Sequence, residues 1–446
     1  MDTLQEIADA LANGRTTSVR LVAEAFERIE DPNGEGGRTF IHLFKDAATA
    51  TAEASDAMRE HGIVPSPLAG IPISVKDLCD VAGYTTLAGS RALEHRPPAA
   101  ADAAVVARLR AAGAVIVGTT NINEFALGVV GVNPHYGTPR NPWDRATGRI
   151  PGGSSAGAAV SVADGMAAAA LGTDTAGSIR VPAGLCGLVG FKPTVGRIPT
   201  EGVFPLSFTL DSVGPLARSV ACCASLDSVF AGTAPSPLRP APVAHAKIAV
   251  PNSLALDDLD EAVSAAFQSA LARLSAAGAQ IVEIGFPELN EIAGIHRHGT
   301  IPIAEGYALH RELLESRGHL CDAMAAERLR GGAKITAADY IAMLEGRAAL
   351  SKHADRVTAD YDAVAMPTVP IIAPPITDFT EDRERWMAAN ALILRNTVVA
   401  NFLGRCAITL PCQAAGEAPV GLMLMGERMG DRALLRLAAG VEAALG

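Results

Sequence analysis

The sequence predicts an α/β protein built on a single large, mixed and twisted β-sheet with helices covering both faces. Three observations carry this. Helix-period segments alternate with short apolar runs along the chain. The stretch ADAAVVARLRAAGAVIVGTTNINEF (101–125) reads as a helix, a glycine turn at Gly113 and a strand through Val117, which is a crossover of α/β type. The last third again supplies strand-like runs, AVAMPTV, CAITL and GLMLMG, interleaved with helices, so both halves feed one sheet.

Taken in order, residues 3–30 carry apolar positions at helical spacing, with Thr17 and Ser18 placed to cap a second helix. An Ala-rich helix follows at 45–60. In LAGIPISVKDL, Ile71, Ile73 and Val75 alternate with Pro72, Ser74 and Lys76, which reads as a strand ending at Lys76. The segment 133–157 is rich in Pro, Gly and Asn and is expected to be an irregular loop; loops of this length inside a compact domain are usually functional. A Pro/Ala-rich connector at 231–246 precedes a strand (KIAV), a helix at 259–277 and a strand at 279–284. The expected organisation is one domain over 1–446, with N-terminal helices in 1–65, a catalytic core segment in 66–230 and a second half, 247–446, completing the sheet and pocket.

Composition narrows the function. The chain has 446 residues, 49% hydrophobic and 19% charged, ample for a sizeable core. Its formal charge of −11 gives no basis for gripping nucleic acid or an anionic membrane surface, and no apolar run approaches transmembrane length. Neither nucleic acid nor a membrane is expected as a partner, a homodimer stays open, and the cytoplasm is the expected location. Seven cysteines without a C-x-x-C pair argue against a disulfide framework or a zinc site, and His296 and His298 lack the company a metal needs. No metal or other cofactor is expected.

The chemistry concentrates in 151–193, where two Gly/Ser turns flank an Ala-rich stretch. A helix over 155–164 advances roughly 15 Å, and a strand through 167–172 retraces roughly 20 Å, which returns Ser178 beside Ser154. The loop GTDTAGSIR presents the backbone N–H groups of Thr175, Ala176, Gly177 and Ser178 ahead of a short helix, as an oxyanion hole for acyl transfer requires. A serine hydroxyl needs a base, and no histidine lies within these loops. Lys76 can serve: at the end of an apolar strand it loses hydration, its pKa falls, and a serine bridging lysine to serine completes a relay.

With Lys76 in AGIPISVKDL, GGSSAG at 152–157 and GTDTAGSIRVPAGLCGLVGFKPTVGR at 172–197, the chain resembles the amidase signature family. The likeness continues through TTNINEF, NPW, AMPTVP and VGLMLMG in family order. It implies the amidase signature fold, a Ser–cis-Ser–Lys triad of Ser178, Ser154 and Lys76, a cis peptide bond after Gly153, and oxyanion donors at 175–178. It further implies an acyl pocket built from Phe125, Ala126, Leu127, Gly128 and Val129, with 286–356 as its outer wall. Ala156 and Ala176 stand where the family commonly has glycine and are expected to narrow the space near the acyl group. The implied activity is hydrolysis of a small-molecule carboxamide, carbamate or ester through an acyl-enzyme on Ser178.

Two rivals share these residues. GSSAG at 153–157 matches the G-x-S-x-G elbow of α/β-hydrolase esterases, with Ser155 as nucleophile. The same triad would also serve the glutaminase component of a tRNA-dependent amidotransferase. Asp174 and Arg180, flanking the nucleophile loop, read as a structural ion pair.

Overall fold

The computed structural model describes residues 2–379 and 382–446. Eleven strands form one sheet: β1 (Phe40–Leu43), β2 (Pro72–Lys76), β3 (Val115–Thr120), β4 (Ala169–Asp174), β5 (Val189–Lys192), β6 (Ser212–Ala217), β7 (Lys247–Pro251), β8 (Gln280–Ile284), β9 (Ala363–Pro367), β10 (Ala407–Pro411) and β11 (Gly421–Met425). Their order is β1-β3-β2-β4-β6-β5-β10-β11-β9-β7-β8. Parallel pairs (β2 with β3 and β4, β7 with β8 and β9) coexist with antiparallel ones, so the sheet is mixed as expected. The first six strands of the chain occupy one side and the last five the other. The seam is the antiparallel pairing of β5 with β10, where Gly190, Phe191 and Lys192 face Thr409, Ile408 and Ala407.

Helices cover both faces. Ile71, Ile73 and Val75 join one core with Val105, Val106 and Leu109 of the helix Ala104–Ala111 and with Leu226 and Phe230 of Val220–Phe230. Across the sheet, Val115 and Val117 pack with Val22, Phe26, Ala48 and Ala52 of the helices Ser18–Glu30 and Lys45–Glu60. The alternation along β2 therefore separates two buried faces instead of core from solvent, and all five of its residues are buried. Its polar members are paired: Ser74 Oγ lies 2.8 Å from Ser161 Oγ.

The segment between the serine loops folds as a helix, Ala156–Ala163, and β4 begins at Ala169, two residues later than the sequence pattern suggests. The cause is the helix end. Gly165 adopts φ +71°, and the Met166 and Ala167 amides both donate to the Ser161 carbonyl, at 2.8 and 3.0 Å, so they are spent before the ladder starts. Residues 133–155 contain neither helix nor strand beyond an isolated bridge of Arg149 to Pro375. All seven cysteines are free and buried. Among the described residues no helix is long and apolar enough to cross a membrane.

Candidate active site

Lys76 ends β2 between two parallel neighbours, and its side chain is fully buried. Its Nζ lies 2.8 Å from Ser154 Oγ and 2.8 Å from Thr173 Oγ1, with the Thr173 carbonyl at 3.5 Å. The adjacent Asp77 is turned to other work, its carboxylate accepting the Gly89 amide at 3.2 Å. Burial strips hydration from the ammonium and brings the Lys76 pKa down to about 7, against weaker opposing pulls from groups that include Asp174 and Asp211. Near neutrality roughly half of the lysine is therefore a free amine. Its two N–H bonds then point to Thr173, and its lone pair can take the Ser154 proton.

Ser154 follows a cis peptide bond at Gly153 and is fully buried. The neighbouring Ser155 joins the two serine loops: its amide donates to the Ser178 carbonyl at 3.2 Å. The Ser155 hydroxyl donates to the Thr173 carbonyl at 3.3 Å and is fully buried, outside the cavity that Ser178 lines.

Ser178 lines a cavity of about 120 Å³ together with Thr175 and Ala176. Among the described residues, the Ala176, Gly177 and Ser178 amides have no hydrogen-bond acceptor. The turn that exposes them depends on Gly177, at φ +148°, where a Cβ would sit 2.3 Å from Thr397 Oγ1. Thr397 Oγ1 in turn donates to the Ala176 carbonyl at 2.8 Å, holding that peptide group back.

Beneath the loop lies the Asp174–Arg180 pair, at 3.0 Å and with both side chains fully buried. Asp174 Oδ2 also accepts the Ile179 and Arg180 amides, and Asn401 Nδ2 donates to Oδ1 at 2.8 Å. Arg180 extends to Asn401 and to the Thr397 carbonyl at 2.9 Å. Burial alone would raise the Asp174 pKa; the guanidinium and these donors outweigh it and hold the carboxyl at about 2.

Of the five residues expected to form the acyl pocket, Ala126, Leu127, Gly128 and Val129 line the cavity. Phe125 does not; its ring stacks on Phe204 and His310, with centroids 5.8 and 5.9 Å away, inside an apolar cluster that adjoins the cavity through Ala126 and Leu127. The 286–356 stretch contributes His296, Thr300, Pro302, Ile303 and Arg328. Arg328 carries a weak sequence signal, since it follows Ala325 at helical spacing on the buried face of the helix Ala323–Arg330. A larger hollow of about 650 Å³ lies beside this one, shares Leu127 with it and does not include Ser178.

The amidase family model matches residues 20–435. The chain belongs to the amidase family. Among its relatives, a 2-amino-5-chloromuconic acid deaminase of Comamonas testosteroni is 40% identical, the match covering 90% of this chain and 87% of the relative. A glutamyl-tRNA(Gln) amidotransferase subunit of Chloroflexus aggregans is 34% identical over 98% of this chain and 94% of its own. Among solved structures, a crystal structure of an amidase superposes with a TM-score of 0.89 at 35% identity, covering both chains fully. This amidase is accordingly a hydrolase of amide C–N bonds, on the amidase signature fold that the sequence predicts.

Proposed function

We propose that the amidase cleaves a small-molecule amide through an acyl-enzyme on Ser178, with Ser154 as proton relay and Lys76 as base. The observation that carries this reading is the 2.8 Å contact of a fully buried Lys76 amine with Ser154, beside a loop tied to Ser178. Neutral Lys76 takes the Ser154 proton as Ser154 takes that of Ser178, and Ser178 Oγ attacks the carbonyl carbon. The oxyanion rests on the unpaired amides at 176–178, with Thr175 beside them. Lys76, now protonated, returns the proton through Ser154 to the leaving nitrogen. A water then attacks the acyl-enzyme along the same relay, releasing the acid and freeing Ser178.

The sign of the pH dependence follows. Protonated Lys76 cannot act as a base, so kcat/KM should rise through pH 7, with a midpoint near the lysine's pKa of about 7, and level off above it. A rate falling from pH 6 to 8 contradicts a lysine base. Quenching a slow ester or carbamate turnover in acid and mapping the adduct by mass spectrometry locates the nucleophile: an acyl group on Ser178 supports the reading, and one on Ser155 supports the esterase alternative.

The glutaminase alternative draws support from the similarity to amidotransferase subunits. Against it, no Asp or Glu is among the described residues lining the Ser178 cavity, so the ammonium of a free glutamine would enter without a counter-charge. A free-standing amidase is the reading this favours.

A further inference from the structure

The residues around Ser178 are mostly small or apolar, and Arg328 is the one formal charge among those described. A guanidinium drawn out of water ordinarily brings a carboxylate with it, because an unpaired buried charge is costly. Arg328 has none. Among the described residues no ion pair or hydrogen bond engages its guanidinium, and its Nη1 is shut off from solvent without an acceptor. Its packing partner is the face of Trp386, 5.2 Å from the guanidinium carbon.

The neighbouring acids are occupied elsewhere. Glu327 pairs with Arg383, Asp322 caps the helix by accepting the Met324 and Ala325 amides, and Glu124 accepts the Asp322 amide. Burial lowers the Arg328 pKa only to about 10, so it stays cationic at neutral pH. His296, which lines the same cavity, also has an enclosed Nε2 without a partner. Burial lowers its pKa to about 4, so it is a neutral imidazole able to donate one hydrogen bond without adding charge.

We propose that Arg328, assisted by His296, receives a carboxylate carried by the substrate, so that the favoured substrates are monoamides of short dicarboxylic acids that lack an α-amino group. A planar guanidinium with free donors in a partly buried site binds carboxylate in two parallel hydrogen bonds, and that contact fixes the far end of the substrate while Ser178 meets the amide. The proposal rests on Ser178 being the nucleophile. A neutral amide leaves the guanidinium unpaired, and an amino acid amide adds an ammonium that nothing in the cavity offsets.

The test compares kcat/KM for succinamate, glutaramate and adipamate with butanamide, pentanamide and hexanamide, the neutral amides of the same chain length, and with glutamine. For at least one chain length the wild-type enzyme should prefer the carboxylated amide by about 100-fold, and glutamine should trail glutaramate. Glutarate, which cannot be hydrolysed, should bind about 100-fold more weakly to Arg328→Met than to wild type by calorimetry, with Arg328→Lys in between. Equal rates for carboxylated and neutral amides at every length, or a preference that survives Arg328→Met, overturns the proposal. A neutral fluorophosphonate separates the two levels of inference. If it labels Ser178 while the carboxylate preference is missing, the Arg328 assignment alone fails; if Ser178 is not labelled, the nucleophile assignment fails and the proposal falls with it.

Discussion

Replacing Ser178 with alanine is expected to lower kcat by about 10⁴-fold or more. Lys76→Ala and Ser154→Ala should each come within about tenfold of that loss, and the triple variant should be hardly worse than the least active single one. The reason is that in the proposed relay the three groups move one proton. Without the lysine the relay has no terminus, and without Ser154 the lysine amine, 2.8 Å from that hydroxyl, has no link to the nucleophile. Independent roles would instead give losses that multiply. Stability supplies a second readout. Holding protonated Lys76 in a site that brings its pKa from 10.5 to about 7 costs the fold about 5 kcal/mol below pH 7. Between pH 7 and 10.5 the unfolded chain binds the extra proton, so the penalty fades as the pH rises. Lys76→Met should therefore be inactive yet unfold at higher urea than wild type at pH 6. A variant less stable than wild type there contradicts a lysine kept for chemistry at the fold's expense.

Arg180→Met is expected to produce the largest loss of stability, about 3–5 kcal/mol, because it strands the Asp174 carboxylate in a fully buried site. Asp174→Asn should cost a comparable amount, since it leaves the fully buried Arg180 guanidinium without its carboxylate and turns an amide NH2 toward the Arg180 and Asn401 donors. Urea titration at pH 7 measures both losses. Because the folded Asp174 pKa is depressed to about 2, its contribution is fully present above pH 3.8 and is lost as the pH falls toward 2. Arg180 is a positioning residue, and its loss should also appear in kcat more than in KM, since the loop it clamps carries Ser178 and the unpaired amides. A stable variant with normal kcat removes it from that role.

The parts of the site legible in the sequence are those carried by short local patterns. The alternation of β2 places Lys76, and two glycine-rich turns, whose separation allows a helix and a strand to fold back, place Ser154 and Ser178. Choosing Ser178 over Ser155 needs the family resemblance, because both lie in Gly/Ser turns; the hydrogen bond of Ser155 to the Thr173 carbonyl is a tertiary fact that no spacing reports. Phe125 shows the converse. It sits in the motif whose next four residues line the cavity, yet at φ 55° its backbone turns the ring toward Phe204 and His310. For Arg328 the helical spacing signals only a place near the buried face of its helix; its lack of a carboxylate partner is revealed only by the packing of distant segments.

The seam between β5 and β10 has a consequence for how the enzyme could be divided or built. Lys76, Ser154 and Ser178 all precede the 231–246 connector, on the side of the sheet formed by the first six strands. The loop that carries Ser178 is nevertheless held by Thr397, which donates to the Ala176 carbonyl, and by Asn401, which donates to Asp174, both from beyond the connector, and the cavity wall includes His296 and Arg328 from there as well. The proposed triad thus comes from one half and the contacts that hold its loop from the other. The connector itself is packed, with Val243 and Ala246 buried and the Ala241 amide donating to the Arg436 carbonyl at 2.8 Å, and a polypeptide ending there would carry all three residues of the proposed relay without the contacts that hold the Ser178 loop. Division at the connector would therefore part the proposed triad from the residues that hold its loop in place.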